Sequence, residues 1–150
     1  MQLTHFSDLG LRVLMYLTQP ARDTPVTISE VARQFEVSRH HLVKVVHYMG
    51  QRGWLRTSRG KGGGLALAMV PGQYRLGSLI RDLEGAGDLI DCSKPPCALR
   101  GRCQLKVLLD DALAVFYQAL DRYTLADAVA SPTGESIVRL VLRGEGRSGL

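Results

Sequence analysis

The chain of 150 residues has few aromatic side chains, few cysteines and no long apolar run. No uninterrupted apolar stretch approaches the roughly 18 residues that a transmembrane helix requires, so no membrane association is expected. The N-terminus lacks the basic start and the apolar core of a signal peptide. A hydrophobic content of 45% and a charged content of 22% are typical of a folded protein. We therefore expect a cytoplasmic protein with room for one domain, or for one domain with an appended element.

Cysteine is scarce, and all three cysteines lie in one short segment. Cys92, Cys97 and Cys103 follow the pattern C-x4-C-x5-C. An odd number of cysteines cannot pair completely, and a cytoplasmic location keeps thiols reduced, so a disulfide framework fits poorly. Prolines and a glycine disfavour a regular helix there, which lets three thiolates converge on a metal ion or an iron–sulfur cluster. The alternative is a set of unrelated loop cysteines.

Acidic residues are missing from the central part of the chain. Residues 37–81 contain no Asp or Glu but hold three of the four histidines. Residues 82–150, in contrast, carry ten acidic and eight basic residues. This asymmetry favours a polyanion as partner of the central part, although a solvated basic face is the simpler alternative. The basic residues of the central part are Arg39, Lys44, Arg52, Arg56, Arg59, Lys61, Arg75 and Arg81.

Hydrophobic periodicity predicts a mainly helical fold with one small β-hairpin. Thr27 and Glu30 form a capping box, Ser38 is a second N-cap, and Gly53 suits a left-handed helix end. Two short strands are expected over residues 54–59 and 65–69, around a glycine-rich tip. The predicted helices are residues 4–18, 28–35, 38–52, 75–84 and 104–123.

The second and third helices are joined by a tight turn, which predicts a helix-turn-helix with the hairpin attached as a wing. The expected organisation is therefore a winged helix-turn-helix DNA-binding domain over residues 1–84 and a cysteine loop that binds a cluster over 85–103. A long dimerisation helix and a C-terminal segment follow over 104–142, and residues 143–150 are expected to form a disordered tail.

The basic central part predicts contacts to double-stranded DNA, because the start of the second helix of such a motif enters the major groove. Glycines at the wing tip let the backbone approach DNA, and a wing arginine can read the narrow minor groove. A phosphate-binding loop is the alternative for the glycines, but no GK[ST] follows a strand and no helix begins there. The predicted DNA-binding residues are Ser38, Arg39, His40, His41, Lys44, Arg59, Lys61, Gly62 and Gly63.

The long helix has a continuous apolar stripe that its own domain has limited surface to cover. Burying that stripe against a second copy predicts a homodimer, and two-fold symmetry suits a palindromic operator. The alternative is that the stripe packs back on the helix-turn-helix of its own chain.

The chain resembles the NsrR/IscR family of iron–sulfur winged-helix transcription regulators up to about residue 142. The similarity combines the cysteine pattern with five stretches, the last of which is closer to the NsrR branch than to the others. These stretches are residues 1–12 (MQLTHFSDLGLR), 28–32 (ISEVA), 37–45 (VSRHHLVKV), 59–65 (RGKGGGL) and 120–127 (LDRYTLAD).

The resemblance implies a repressor that senses nitric oxide and releases operator DNA when its cluster is nitrosylated. The NsrR branch binds a cluster through three cysteines, which correspond to Cys92, Cys97 and Cys103 here. The implied cofactor is a 4Fe–4S or a 2Fe–2S cluster.

The resemblance also implies a fourth ligand to the cluster. In the NsrR branch an oxygen ligand comes from near the N-terminus of the partner subunit, and Asp8 occupies the matching position, with His5 as a nearby alternative. The IscR branch takes a histidine three residues after the last cysteine. This chain has Lys106 there, which argues against IscR-type ligation.

Three other functions remain open on the sequence. A family member that senses iron–sulfur status or redox state has the same gross features. A zinc-stabilised DNA-binding protein without a sensing role is also compatible with three thiolates and one more ligand. An enzyme or electron carrier is disfavoured, because the chain has no nucleotide-binding fingerprint and no obvious acid–base constellation.

Overall fold

The computed structural model describes residues 2–19, 24–58, 60, 63–85 and 87–145. Within them the expected mainly helical fold with one small hairpin is confirmed. The helices are α1 (His5–Tyr16), α2 (Ile28–Gln34), α3 (Arg39–Gln51), α4 (Leu76–Leu83), α5 (Gln104–Leu120), α6 (Leu125–Ala128) and α7 (Thr133–Glu145). The strands are β1 (Leu55–Thr57) and β2 (Leu65–Leu67), and a 3-10 helix covers Pro71–Gln73.

Local capping sets the ends of α2 and α3. The Thr27 side chain accepts a hydrogen bond from the Glu30 amide at 3.1 Å, as the sequence predicts. The Glu30 carboxylate accepts from the Tyr16 hydroxyl at 2.6 Å, which ties α1 to α2. Ser38 has extended backbone at the N-cap of α3, but its side chain makes no capping hydrogen bond. Gly53 takes φ = 72° just after α3, the left-handed end expected for it.

The core lies between α1, α2 and α3. Leu9 and Val13 of α1 and Leu42 and Val45 of α3 are each at most 1% exposed. These positions are three or four residues apart on each helix, so each helix presents one apolar side to the core and leaves the other side free.

The wing is joined to the chain just before α2. Its strands pair antiparallel, with Leu55 opposite Leu67. The Leu65 amide donates to the Val26 carbonyl at 2.8 Å, which adds a bridge beside the hairpin. A Cβ on Gly64 would lie 2.5 Å from the Cβ of Pro25, so only glycine permits this approach.

Tyr74 connects the base of the wing to the C-terminal half. Its buried hydroxyl accepts from the amides of Ala68 and Met69 at 3.1 and 3.0 Å and donates to the Trp54 carbonyl at 2.7 Å. Its own carbonyl accepts from the Leu125 amide at 2.9 Å. Tyr74 thus forms hydrogen bonds to the backbone just before β1, just after β2 and at the start of α6.

The pair α4 and α5 meets closely where α4 begins and α5 ends. A Cβ on Gly77 would lie 2.1 Å from the Tyr117 carbonyl oxygen, so the helices could not approach in this way with a larger residue. The Ser78 amide donates to Asp121 Oδ1 at 2.6 Å. The Arg81 guanidinium stacks over the Tyr117 ring at 4.8 Å from its centroid.

The C-terminal part differs from the expectation in its details. Helix α5 ends at Leu120, and α6 and α7 follow as separate helices. Helix α7 contributes the buried Ile137 to the main core and continues to Glu145, past residue 143, where the expected disordered tail begins. The rest of that tail, residues 146–150, lies outside the described residues. No described helix combines the length and the apolar character that crossing a membrane needs.

Candidate DNA-binding face and cysteine segment

The N-cap and the N-terminal half of α3 present five polar side chains to solvent. Their exposure follows from the helical spacing, because Leu42 and Val45 of the same turns are buried on the opposite side. The exposed residues are Ser38, Arg39, His40, His41 and Lys44, all of which the sequence predicts as DNA contacts.

Arg39 lies at the edge of an open groove between α3 and the wing. Its Nε donates to Ser29 Oγ of α2 at 3.1 Å. The two terminal nitrogens of the guanidinium take no part in this hydrogen bond. The groove has a volume of about 570 Å³, and its lining includes His47 of α3 and Gly63 of the wing. The guanidinium of Arg39 gives this concave surface a positive charge, which suits a polyanion.

His41 occupies a different side of α3 from this groove. The His41 ring lies 5.9 Å from the His5 ring of α1, in an edge-to-face arrangement, and 6.1 Å from the His40 ring. The predicted contacts of α3 are therefore divided, with Arg39 beside the wing and His41 beside α1.

Sequence reasoning missed three residues that line the groove, Ser29, His47 and Gln51. A signal for two of them exists, because Arg39, His47 and Gln51 fall at multiples of four residues and so lie on one side of α3. Ser29 belongs to another helix and carries no such signal.

The wing tip is described only in part. Gly60 has φ = 93°, which requires glycine, and its carbonyl accepts from the Gly63 amide at 3.0 Å. The other predicted contacts of the wing, Arg59, Lys61 and Gly62, lie outside the described residues.

The cysteine segment, residues 87–103, is distinguished by which of its side chains are shielded. Every residue in it is exposed except Cys92, Cys97 and Cys103, which are half-buried. The segment therefore folds inward at its thiols while its apolar residues, such as Leu99 at 61% exposure, stay outside.

Short-range backbone hydrogen bonds shape this segment. The Cys97 amide donates to the Cys92 carbonyl at 3.2 Å, and the Arg100 amide donates to the Cys97 carbonyl at 3.1 Å. The Ser93 amide and hydroxyl both donate to Asp91 Oδ1, and these bonds hold the pKa of that carboxyl below its usual range. The turns are local, so they fold the segment without a hydrophobic core.

Two of the three thiols open into one cavity. Its volume is about 570 Å³, and Cys92 and Cys103 line it together with Arg100 and Lys106. The cysteines are free thiols. Nowhere in the described part of the chain do three His, Cys, Asp or Glu side chains lie close enough together to hold a metal ion. The donor chemistry fits an iron–sulfur group, whose usual ligands are thiolates, while a closed ligand cage is not formed in this arrangement.

Asp8 lies apart from the cavity in the first turn of α1. Its Oδ1 accepts from Arg12 Nε at 2.9 Å, an ion pair along one helix turn. The described residues of the same chain thus give Asp8 a cationic partner, and it does not line the cavity with the cysteines.

The turn that carries Asp8 is nevertheless tied to the chain just before the cysteine segment. Glu84 accepts from the Thr4 amide at 2.8 Å and from the Thr4 hydroxyl at 3.0 Å. Burial alone would raise the pKa of Glu84, but hydrogen bonds from Ser7 and Thr4 outweigh it and lower the pKa below its ordinary value.

With this geometry in place, comparison with known proteins identifies the family. The family described as Rrf2, iron-dependent transcriptional regulator, matches residues 3–131. The chain belongs to the Rrf2 family. It is therefore a transcriptional regulator and a DNA-binding protein, not an enzyme.

Two curated relatives cover almost the whole chain. The transcriptional repressor NsrR of Streptomyces coelicolor is 40% identical over 148 residues, spanning 97% of this chain and 100% of that protein. The transcriptional regulator NsrR of Bacillus subtilis is 35% identical over 144 residues, spanning 94% and 97%. The predicted resemblance to the NsrR/IscR group is confirmed.

Solved structures support the fold. The global cysteine regulator CymR of B. subtilis superposes with a TM-score of 0.68 at 23% identity, covering 85% of this chain and 95% of that one. IscR of T. potens superposes with a TM-score of 0.66 at 22% identity, covering 86% of each. These likenesses confirm the winged-helix architecture.

Proposed function

We propose that this chain is a transcriptional repressor that carries an iron–sulfur cluster, acts as a cytoplasmic homodimer and releases its operator in response to nitric oxide. The observation that carries the proposal is the selective shielding of Cys92, Cys97 and Cys103 in an otherwise exposed segment. Similarity to two proteins named NsrR supports it.

The three cysteines would hold the cluster, of 4Fe–4S or 2Fe–2S type, as thiolates. Asp8 of the partner subunit would complete the ligand set, as the resemblance to the NsrR branch implies. Within its own chain, Asp8 does not line the cavity. A carboxylate is a harder and weaker ligand for such a group than a thiolate, which leaves one position exchangeable. When bound, the cluster supplies iron that combines with nitric oxide.

An exposed apolar side of α5 supports the homodimer. Leu105, Leu108 and Val115 are 58%, 58% and 62% exposed and lie along one side of this helix of 17 residues. A second copy would remove this surface from water. The operator would then be palindromic, with one half-site for each subunit.

DNA would be held by the exposed side of α3 and by the wing. Arg39 can read guanine with two hydrogen bonds, while Lys44 and the histidines suit phosphate oxygens. Gly63 would let the wing backbone approach the duplex, beside Arg59 and Lys61.

A direct path links the cysteine segment to α3. Helix α4 ends just before the segment, and the carbonyl of its Asp82 accepts from the Tyr48 hydroxyl at 3.0 Å. The Asp82 carboxylate pairs with Arg52 at 2.6 Å. A displacement of the segment would therefore pull on the helix that faces DNA, and a few kcal/mol of differential binding would empty the operator.

The test uses protein purified without oxygen. We expect brown protein with iron and acid-labile sulfide, which binds a palindromic operator and loses both colour and binding when nitric oxide is added. Cys97→Ser should lose the visible absorbance, while the adjacent exposed control Ala98→Ser should keep it. Colourless protein that contains zinc and ignores nitric oxide would overturn the proposal in favour of a zinc-stabilised regulator. A response to oxygen or reductant alone would assign a different signal.

A further inference from the structure

Lys106 makes a set of charged contacts that spans the cysteine segment. Its Nζ donates to both carboxylate oxygens of Asp110, at 2.5 and 2.6 Å, one turn further along α5. The same Nζ lies 3.2 Å from Asp88 Oδ2, which precedes the first cysteine. One ammonium group therefore joins the chain before Cys92 to the helix after Cys103.

The Lys106 side chain is half-buried beside a segment that is mostly exposed. The Lys106 side chain is 21% exposed, and it lines the same cavity as Cys92 and Cys103. The hydrogen bonds that Lys106 donates to Asp110, and then to Asp88, outweigh desolvation and raise the pKa of Lys106. The group thus keeps its positive charge beside two thiols.

The position of this contact in the chain gives it a role. Helices α4 and α5 are held together at one end by Gly77, Ser78 and Asp121. The cysteine segment connects their other ends, and the Asp88–Lys106 contact closes that connection into a loop. Closing the loop removes conformations in which Cys92 and Cys103 move apart.

We propose that Lys106 is a positioning residue for the cysteine segment, which acts through Asp88 to keep the first and last cysteines within reach of one metal group and so slows its release. The inference rests on the proposed function for the identity of that group. The pair with Asp110 alone would be an ordinary helix-surface ion pair of small effect. The contact with Asp88 is different, because Asp88 lies before the first cysteine and is not on the helix that carries Lys106.

The experiment compares charge-removing variants with matched controls. Lys106→Met and Asp88→Asn remove the two sides of the contact. Lys94→Met and Asp111→Asn remove exposed charges of the same kinds from the same segment and the same helix. Two readouts are taken without oxygen: hydrogen exchange of residues 88–103 in reduced, metal-free protein, and the rate at which an iron chelator bleaches the reconstituted protein.

We expect Lys106→Met to bleach roughly tenfold faster than wild type, because the first and last cysteines then separate more easily and hold the metal group less firmly. Asp88→Asn should show a similar increase, and the double variant should add little to either. Lys106→Arg should restore slow release because it keeps the charge. Exchange of the metal-free segment should rise in both single variants and in neither control.

Release and exchange rates for Lys106→Met that equal those of Lys94→Met would overturn the inference, and so would fully additive effects of Lys106→Met and Asp88→Asn. If the wild type takes up no iron and sulfide, the proposed function fails. Hydrogen exchange of the metal-free segment then decides separately whether the contact orders the segment.

Discussion

In the winged-helix part of the molecule, residues 2–85, α1 and α3 bury Leu9, Val13 and Leu42 to 1% exposure or less. In the cysteine segment, residues 87–103, the only shielded side chains are the three thiols. The first region is held by apolar area removed from water, which needs no ligand. The second is held by local turns and by charged contacts such as that of Asp88 with Lys106, so its order is expected to depend on the group that its thiols are proposed to bind.

The largest contrast is expected from truncating one leucine in each region. Leu42→Ala removes a side chain that is 1% exposed and leaves a cavity between α1 and α3, so it should lower the free energy of unfolding by roughly 2–5 kcal/mol. Leu99→Ala, in the cysteine segment, should change it by about 0.5 kcal/mol or less. Urea unfolding of metal-free protein measures both. Equal losses would show that the segment has a core of its own.

A second prediction concerns the junction between the two regions. In Gly77→Ala the new methyl group would meet the Tyr117 carbonyl oxygen at 2.1 Å, and separating α4 from α5 should cost about 1–3 kcal/mol of unfolding free energy. Gly50→Ala is the control, because Gly50 is also helical and its Cβ would meet nothing nearer than 4.0 Å. The control should be neutral or stabilising, as alanine is in helices. A neutral Gly77→Ala would mean that the two helices separate easily.

A third prediction concerns exposed residues of the winged-helix part, whose substitution should lower DNA affinity without lowering the free energy of unfolding. Arg39→Ala should weaken binding to the specific operator by roughly 1–3 kcal/mol if Arg39 contacts a base. Ser29→Ala should have a smaller effect of the same kind, because Ser29 accepts a hydrogen bond from the Arg39 side chain at 3.1 Å. Arg33→Ala, on the exposed side of α2, is the matched control. Fluorescence anisotropy with operator and random duplexes measures the effect, and equal losses on both would make Arg39 a phosphate contact.

The smallest effect is expected from Glu84, which ties α1 to the chain before the cysteine segment. Because its pKa is lowered in the folded protein, its contribution is present above its ordinary value of 4.5 and is lost as the pH falls through the folded pKa. Glu84→Gln should reduce stability at pH 7 by roughly 1 kcal/mol and flatten the acid side of the stability profile. Thermal unfolding at a series of pH values measures the stability profile of each variant. Glu36→Gln, at an exposed position, should keep the wild-type profile.

Much of the winged-helix part could be predicted from the sequence because its signals are local. The capping side chain of Thr27, the left-handed Gly53 and the apolar spacing of α3 each act within a few residues. Helix α7 was not predicted, because Ile137, Leu140 and Val141 form only a short stripe before a polar tail.

The candidate site could be predicted only where one element carries it. The exposed side of α3 follows from its period, and the three cysteines stand out by their spacing. Ser29 beside Arg39, and Asp88 beside Lys106, are brought together by packing across loops. No periodicity connects such pairs, so sequence reasoning could not find them.

Tyr74 bears on how this protein can diverge. Its hydroxyl orients the wing by bonding only to main-chain atoms, those of Trp54, Ala68 and Met69. Main-chain partners are the same whatever side chains the neighbouring residues carry. The hairpin can therefore exchange its tip residues during evolution, and with them its preferred base sequence, while it keeps a constant angle to α3.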